Sequence, residues 1–496
     1  MQYVSTRASG AHASGAQAIV SGLAAEGGLY VAREIPRFGP QFLSSLLPLD
    51  YPARAARVLA PWLDDFSEPA LEQMCRAAYA RFDDARVAPI KRLSGGRAVL
   101  ELWHGPTLAF KDMALQLLPR LMTASGELVG EKREILILVA TSGDTGKAAL
   151  EGFSDVPGVR ICVFFPDGGV SEAQKLQMVT QEGANTRVVA VNGNFDDAQT
   201  GVKQIFTDPE KIRLLDQRGI VLSSANSINL GRLVPQIAYY VSAYADLVAS
   251  GTIKLGENVN ICVPTGNFGN ILAALYAGRM GLPLGKLICA SNSNNVLTDF
   301  IKTGVYDRNR AFRLTTSPSM DILISSNLER LLYDLAGQDD GQVRAWMGAL
   351  AREGRYSLDG AALDALHQLM YGGWASEEAV ADEIKRTLSE DKYLIDPHTA
   401  VAMRVLRTYR EETGDDAPVI IASTASPFKF GRSVLSAIDP EAAKGAPDDF
   451  ACCDALAARS GSIVPDAIAS LRKKPIRHRA QCAIDGMWDA LGPLTQ

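Results

Sequence analysis

The chain has 496 residues, of which 47% are hydrophobic and 21% are charged, and its formal net charge is −6 at pH 7. This length exceeds what one hydrophobic core normally serves, so two or three domains are expected. No window is apolar for long enough to span a bilayer, and the net negative charge argues against general nucleic-acid binding, so membrane and nucleic-acid roles are excluded.

The amino-terminal part of the chain is predicted to be helical. Residues 1–7 lack the charged start, apolar stretch and cleavage site of a secretory signal, which predicts a cytoplasmic protein. From residue 3 to residue 93, apolar residues recur at mixed helical spacing, and prolines break the pattern into short elements. We therefore expect a mostly helical N-terminal domain over residues 1–95.

After Lys91 the pattern changes to apolar runs of strand length, each followed by a polar loop and a helical stretch. The clearest strand and loop pairs are 135–140 with 141–146, 259–263 with 265–270, and 419–422 with 423–426. In open α/β sheets such loops line a cleft at the carboxyl ends of the strands. This predicts an α/β catalytic region over residues 96–480, with a smaller α/β subdomain at about 112–225 embedded in a larger α/β domain.

Two further segments complete the predicted organisation. Residues 334–391 are charged and helical in pattern and hold no obvious chemical group, which predicts a structural insertion. Residues 481–496 are expected to form a C-terminal tail. Seven cysteines are spread along the chain, and the close pair Cys452 and Cys453 is adjacent in sequence, so we expect reduced thiols and no metal site.

Lys111 is the first candidate for chemistry. It lies in the run His104-Gly105-Pro106-Thr107-Leu108-Ala109-Phe110-Lys111-Asp112, directly before residues 112–118, which read as a helix. The positive end of the helix dipole and partial burial both disfavour the ammonium form, and a neutral amine can form an imine or transfer protons. The alternative is a solvated lysine that starts a helix and pairs with Asp112.

Three other segments suit anionic ligands. Residues 266–270 follow a strand and precede a helix, so their N–H groups could hold a phosphate, although such turns are often only turns. Residues 141–146 add hydroxyl groups and one carboxylate, whose simpler role is helix capping. Residues 226–232 combine amide, hydroxyl and guanidinium groups that suit a phosphate; the alternative is a surface turn with an exposed arginine.

Taken in order, these segments resemble those of pyridoxal-phosphate-dependent threonine synthases. The matching phrases are HGPTLAFKD, TSGDTG, TGNFGN, NSIN followed by Arg232, DPHTA and STASPFKF, with STR and GGLYV near the amino end. In register from residue 102 to residue 430, they span about two-thirds of the chain. The resemblance implies a fold type II enzyme, similar to the β subunit of tryptophan synthase, with two open twisted-sheet domains around a cofactor cleft. The length is similar to that of the long bacterial and fungal form.

The resemblance also implies roles for individual residues. Lys111 would form the imine with pyridoxal 5′-phosphate, and Thr424 would face the pyridine nitrogen and leave it unprotonated. The cofactor phosphate would be held by Gly266, Asn267, Phe268, Gly269 and Asn270. The substrate carboxylate would be held by Ser142, Gly143 and Thr145, with Asp144 close to the cofactor's phenolic oxygen, a position where the shorter branch of the family often has Asn. The substrate phosphate would be bound by Asn226, Ser227 and Arg232.

The implied enzyme is a carbon–oxygen lyase acting on phosphates. It would convert O-phosphohomoserine and water to threonine and phosphate by γ-elimination and β-addition of water, the last step of threonine biosynthesis. Because the cofactor loops are shared, a phospho-lyase of the same fold, making 2-oxobutyrate from O-phosphothreonine or O-phosphohomoserine, and a β-eliminating dehydratase remain alternatives. A non-catalytic binder of a phosphorylated metabolite is disfavoured, since binding an anion needs no imine-forming lysine.

The expected assembly is a monomer or a homodimer.

Two histidines are candidate acids or bases because histidine titrates near neutral pH. His398 begins a predicted helix and is expected to be structural or to pack against the cofactor site. His104 precedes a Gly-Pro turn, where a structural role is expected and direct proton transfer is the alternative. Neither histidine is placed among the catalytic residues.

Overall fold

The computed structural model describes residues 1–39, 41–141, 143–167 and 170–495. Its amino-terminal part combines short helices with a small antiparallel sheet of strand order β2-β1-β3. The elements are β1 (Tyr3–Ser5), β2 (Ala8–Ala13), α1 (Gly15–Ser21), β3 (Tyr30–Ala32), α2 (Phe42–Leu46), α3 (Tyr51–Leu59) and α4 (Glu68–Tyr79). The mostly helical prediction therefore missed three short strands, which are too brief to show a clear alternating pattern.

The next part of the chain carries the smaller sheet. Its elements are β4 (Ile90–Arg92), β5 (Arg97–Glu101), α5 (Asp112–Leu115), α6 (Leu118–Val129), β6 (Glu134–Ala140), α7 (Asp144–Phe153), β7 (Val159–Pro166), α8 (Glu172–Val179), β8 (Thr186–Val191), α9 (Phe195–Thr207), α10 (Pro209–Gln217), β9 (Ile220–Ser223) and α11 (Leu230–Leu233). Nearly every residue of β6 and β7 is buried, as expected of parallel strands covered on both faces.

The remaining α-helices and strands follow in chain order. They are α12 (Pro235–Ala249), β10 (Val259–Pro264), α13 (Gly269–Met280), β11 (Leu284–Ser291), α14 (Val296–Thr303), β12 (Val305–Asp307), α15 (Leu328–Leu335), α16 (Asp340–Glu353), β13 (Arg355–Ser357), α17 (Gly360–Leu369), β14 (Met370–Trp374), α18 (Glu377–Asp391), α19 (Pro397–Thr413), β15 (Val419–Ser423), α20 (Gly431–Ile438), α21 (Pro440–Gly445), α22 (Asp449–Ser460), α23 (Asp466–Ala469), β16 (Ala480–Cys482) and α24 (Met487–Ala490). Short 3₁₀ helices lie at Pro318–Met320, Pro427–Phe430, Ser470–Lys473 and Gly492–Thr495.

Two sheets organise the catalytic region. The smaller sheet has the order β16-β8-β7-β6-β9 and is parallel throughout. The larger sheet has the order β14-β11-β10-β15-β5-β4 and is parallel except for the pairing of β4 with β5. None of the helices in these described ranges is both long and apolar enough to cross a membrane.

Three edge strands come from parts of the chain where the sequence predicted other structure. β4 falls inside the predicted N-terminal domain, β14 interrupts the predicted helical insertion, and β16 begins one residue before the predicted tail. Arg187 Nε and Arg218 Nη1 donate to the carbonyls of Ala490 and Thr495, which fastens the tail to the smaller sheet. These edge strands are short, and β4 and β16 contain polar residues while β14 contains two glycines, so they lack the apolar run by which the central strands are recognised.

Candidate active site

The backbone brings Lys111 and Thr424 together at the carboxyl end of β15. The N–H of Phe110 donates to the Thr424 carbonyl at 2.8 Å, and the N–H of Ser426 donates to the Leu108 carbonyl at 3.0 Å. Lys111 directly precedes α5, as predicted, but α5 ends at Leu115, because the chain restarts as α6 with a proline in its first turn. A helix of one turn has little dipole, so burial dominates the electrostatics of Lys111.

Lys111 is buried among polar groups. Its Nζ donates to Ser319 Oγ at 3.1 Å and lies 3.6 Å from Asp144 Oδ2. Burial, together with the charges of Lys429 and Arg232, outweighs the opposing effect of Asp144 and lowers the pKa of Lys111 to about 8. A pKa of about 8 leaves about one-tenth of the Lys111 amine neutral at pH 7, far more than in an exposed lysine, and its burial rules out the solvated-lysine alternative.

Asp144 lies at the first position of α7 and is surrounded by donors. Its Oδ1 accepts from Lys429 Nζ at 2.8 Å and from Gln174 Nε2 at 3.0 Å, while Oδ2 accepts from Ser319 Oγ at 3.2 Å. Burial alone would raise the pKa of this carboxyl, but Lys429, Lys111 and Gln174 hold it well below its usual range. Asp144 is therefore an ionised acceptor in the same cluster as Lys111.

The loop that contains Asp144 also shows the predicted helix capping. Thr141 Oγ1 accepts the N–H groups of Gly143 and Gly146, both at 2.9 Å. Gly143 has φ 135°, and a Cβ there would lie 2.6 Å from the Gln174 side chain, so the position requires glycine. Thr145 lies in the first turn of α7, whereas Ser142 lies outside the described residues.

Residues 266–270 form a tight turn between β10 and α13, as predicted. Phe268 takes the left-handed conformation with φ 65°. A Cβ on Gly266 would lie 2.7 Å from the Ser319 carbonyl oxygen, so a side chain is excluded there. Tyr240 Oη donates to Asn270 Oδ1, while the buried Asn270 Nδ2 has no partner among the described residues. An unpaired buried amide in the first turn of α13 fits an anionic group.

Arg232 lies on α11 and is not the exposed arginine of the alternative reading. Its side chain is 3% exposed, Nη1 donates to the Ala225 carbonyl at 3.0 Å, and Nε is buried without a partner in the described part of the chain. Burial lowers its pKa to about 10, so it is still charged at pH 7. A buried cation without a carboxylate partner among the described residues fits a site for an anionic ligand.

The segment from residue 325 to residue 330 joins the loop at residues 266–270 to the loop at residues 226–232. The sequence patterns did not predict this connection. Ser325 Oγ donates to the Gly266 carbonyl at 2.7 Å, and the N–H of Asn327 donates to the Asn267 carbonyl at 3.1 Å. Ser227 Oγ lies 3.3 Å from Ser326 Oγ, which links the second loop to this segment. The two loops are therefore held in one cleft, as their positions after strands predicted.

Arg330 fastens this arrangement to the amino-terminal part of the protein. Its guanidinium is fully buried and donates to the Tyr30 carbonyl at 2.9 Å, to the Ile228 carbonyl at 2.7 Å and to Asn327 Oδ1. Ile228 lies between Ser227 and Asn229 in the predicted substrate-phosphate segment. The Arg330 side chain thus connects β3 with the loop at residues 226–232 and with the segment at residues 325–330.

His398 supports the site through Ser319. Its Nδ1 lies 2.6 Å from Asp396 Oδ2, and its Nε2 accepts the N–H of Ser319 at 3.2 Å. Because Nε2 accepts this bond, the ring proton is carried on Nδ1. The contact agrees with the expected structural role near the cofactor site.

His104 forms a separate cluster. Its Nδ1 lies 2.5 Å from Asp83 Oδ1, and its Nε2 lies 2.9 Å from Glu101 Oε2. Burial lowers its pKa, but the bonds to Asp83 and Glu101 outweigh burial and raise the pKa to about 9. These contacts account for both ring nitrogens and involve neither Lys111 nor Asp144.

The His104 cluster predicts a pH-dependent contribution to stability. A folded-state pKa above the unfolded value of about 6.5 stabilises the protein fully below pH 6.5, and this stability is lost as the pH rises through about 9. Between about pH 6 and pH 9 the unchanged protein should lose about 1–2 kcal/mol more free energy of unfolding than His104→Gln does. The difference is this small because solvent partly screens the cluster. Urea unfolding at several pH values measures this, and identical pH profiles would contradict it.

Three family models match consecutive parts of the chain. The model for the threonine synthase N terminus matches residues 2–79, and the model for the threonine synthase C-terminal region matches residues 399–477. The model for pyridoxal-phosphate-dependent enzymes matches residues 89–373, which is more than half of the chain. The chain therefore belongs to the pyridoxal-phosphate-dependent enzymes of this fold.

Individual relatives show which family of pyridoxal-phosphate-dependent enzymes the chain resembles. Human threonine synthase-like 1 is 43% identical over 433 residues, covering 85% of this chain and 58% of that protein. The threonine synthase of Pseudomonas aeruginosa is 38% identical over 438 residues, covering 88% of this chain and 90% of that enzyme. The crystal structure of pyridoxal-phosphate-bound threonine synthase from Brucella melitensis matches with a TM-score of 0.87 and 36% identity, covering 99% of this chain and 98% of that one. The chain belongs to the threonine synthase family.

These similarities confirm the predicted family, its cofactor and its fold type II architecture. The chain spans 58% of the length of the human relative but 90% of the bacterial one. The residues of the site fit such a cofactor. Lys111 supplies a buried amine whose pKa is lowered, Gly266 leaves room where a side chain would clash, and Asn270 supplies an unpaired amide. The site residues that the sequence missed are Lys429, Ser319, Gln174 and Arg330; Lys429 alone stands in a segment that carried the family resemblance.

Proposed function

We propose that this protein is a threonine synthase that converts O-phosphohomoserine and water to threonine and phosphate. The observation that carries the proposal is the buried Arg232, whose Nε has no partner among the described residues and whose charge lowers the pKa of Lys111. A second anion site beside the cofactor lysine favours an amino-acid substrate that carries its own phosphate. The proposal includes a cytoplasmic location and a monomer or homodimer.

The residues at the site divide into two phosphate-binding sets. Gly266, Asn267, Phe268, Gly269 and Asn270 would hold the cofactor phosphate through backbone donors and the free Asn270 amide. Asn226, Ser227 and Arg232 would hold the substrate phosphate and stabilise it as a leaving group. Two separate phosphate sites agree with the arrangement of the loops, because residues 325–330 contact the loop at 266–270 and the loop at 226–232.

Lys111 is the proposed catalytic residue. When bound, pyridoxal phosphate supplies an electron sink that acidifies the Cα and Cβ protons of the substrate. Lys111, released from covalent attachment by the substrate amine, would then move protons between these carbons, for which a pKa of about 8 is well matched. After phosphate has left from Cγ, a proton would be delivered to Cγ, water would add at Cβ as hydroxide with its proton given up to a base, and a proton would return to Cα to give threonine.

The remaining predicted residues would orient the reactants. Gly143 and Thr145, with Ser142 outside the described residues, would hold the substrate carboxylate at the start of α7. Asp144 would lie near the cofactor's phenolic oxygen, and the buried Thr424 would present a hydroxyl to the pyridine nitrogen. A hydroxyl at this position leaves that nitrogen unprotonated, unlike an aspartate.

A product assay tests the function. Purified protein is incubated with pyridoxal phosphate and O-phosphohomoserine, and phosphate, threonine and 2-oxobutyrate are quantified together. Equal amounts of phosphate and threonine are expected. Phosphate released with 2-oxobutyrate instead would assign the protein to the phospho-lyases, and no release of phosphate would overturn both assignments.

A further inference from the structure

A second lysine lies at the site, and no step proposed so far uses it. Lys429, in the 3₁₀ helix Pro427–Phe430, is 2% exposed. Its Nζ donates to the Thr107 carbonyl at 2.8 Å and pairs with Asp144 Oδ1 at 2.8 Å. The ammonium group is thus enclosed by the residues that surround Lys111.

We propose that Lys429 is a positioning residue that occupies Asp144 and thereby keeps Lys111 free to lose its proton. The two lysines share one buried carboxylate. Lys429 is the nearer, at 2.8 Å, while Lys111 is at 3.6 Å from the other oxygen, which also accepts from Ser319. In a site of low polarity one carboxylate neutralises one ammonium group, and the nearer lysine takes this role.

The other charges around Lys111 support this division. Arg232 adds a guanidinium group whose charge lowers the pKa of Lys111, and Asp112 adds a second carboxyl group, which accepts from Thr107 and Gln116 and whose pKa burial raises to about 6. With Lys111 neutral and both carboxyl groups ionised, Lys429 and Arg232 balance Asp144 and Asp112. A proton on Lys111 would leave one buried positive charge in excess. His398 is directed to Asp396 and to the Ser319 amide, and therefore forms its own pair.

The inference predicts the behaviour of Lys111 itself, and it can be measured on the full chain without cofactor. Trace acetylation over about pH 6 to pH 11, quantified for each lysine by mass spectrometry, gives the pKa of Lys111. In Lys429→Met, Asp144 becomes available to Lys111, so this pKa should rise by about one unit or more, leaving about tenfold less neutral amine at pH 7. Lys429→Arg keeps the charge and should restore the original value.

Two further variants keep the test decisive. Lys175→Met removes an exposed lysine next to Gln174 that pairs with Asp167, and should leave the pKa of Lys111 unchanged. Lys429→Gln removes the same charge with a polar side chain and should raise the pKa of Lys111 in the same way, which preserves the test if Lys429→Met fails to fold. A pKa of Lys111 within about 0.3 unit of the original value in Lys429→Met, or equal shifts in the methionine and arginine variants, would overturn the inference.

The inference about Lys429 rests on the proposed role of Lys111, but different measurements would refute the inference and the proposed function. Acetylation reports the amine and not turnover, so a shifted Lys111 in a protein without threonine synthase activity would refute the function and support the charge pairing. In the active holoenzyme the Lys111 amine is free only after substrate has displaced it from the cofactor, so Lys429→Met should displace the acidic limb of the kcat profile to higher pH. An unchanged limb would count against the inference.

Discussion

Lys111→Ala is expected to lower turnover of O-phosphohomoserine by a factor of about 10⁴ or more while the protein stays folded. The buried amine is the only lysine nitrogen in the described residues that contacts both Ser319 and Asp144, so no neighbour can take its place in covalent attachment and proton transfer. Removing it deletes a buried amine with one hydrogen bond, to Ser319, so little stability should be lost. Stopped assays of phosphate and threonine measure the loss, and circular dichroism checks the fold.

Cofactor attachment provides a second readout for the same variant. Borohydride reduction should fix pyridoxal phosphate to Lys111 in the unchanged protein, as seen by mass spectrometry, and should fix none at this position in Lys111→Ala. Lys147→Arg is the matched control, since Lys147 is a buried lysine that pairs with Glu151 and Gln181 instead. Retained turnover in Lys111→Ala, or attachment at another lysine in the unchanged protein, would defeat the assignment.

Arg232→Met is expected to weaken substrate binding and yet stabilise the protein in the absence of anions. The guanidinium is buried with one carbonyl partner, so its desolvation is poorly compensated, and an apolar side chain of similar length should add about 1–3 kcal/mol to the free energy of unfolding. The same change removes charge-assisted bonds to a phosphate, which should raise KM for O-phosphohomoserine about 10- to 100-fold. Urea unfolding and steady-state kinetics measure the two effects.

Arg330→Met is the matched control for this prediction, and its stability effect has the opposite sign. Arg330 is equally buried, but its guanidinium donates to Tyr30, Ile228 and Asn327, so its loss should cost about 2–4 kcal/mol. With the cofactor bound at residues 266–270, inorganic phosphate should raise the melting temperature of the unchanged protein but not that of Arg232→Met. If Arg232→Met is destabilised as much as Arg330→Met, or retains its KM, Arg232 does not bind the substrate phosphate.

Local patterns were sufficient to predict the central strands and the polar loops after them. β6, β10 and β15 are continuous apolar runs because helices cover both faces of a parallel sheet, so burial is visible in the sequence itself. The turn at 266–270 was recognisable for a related reason, since close backbone approach demands glycine. The edge strands β4, β14 and β16 were missed because a short, half-exposed strand depends on its partner rather than on its own pattern.

The sequence by itself identified Lys111, because its own run together with the other family segments between residues 102 and 430 can be read directly from the chain. What the tertiary structure decided was its chemical state. Ser319, Asp144 and Lys429 are separated from Lys111 by tens to hundreds of residues, yet they set its hydrogen bond and its charge balance. Electrostatic energy in a buried site depends on distance and solvent exclusion, and neither is a property of neighbouring letters in a sequence.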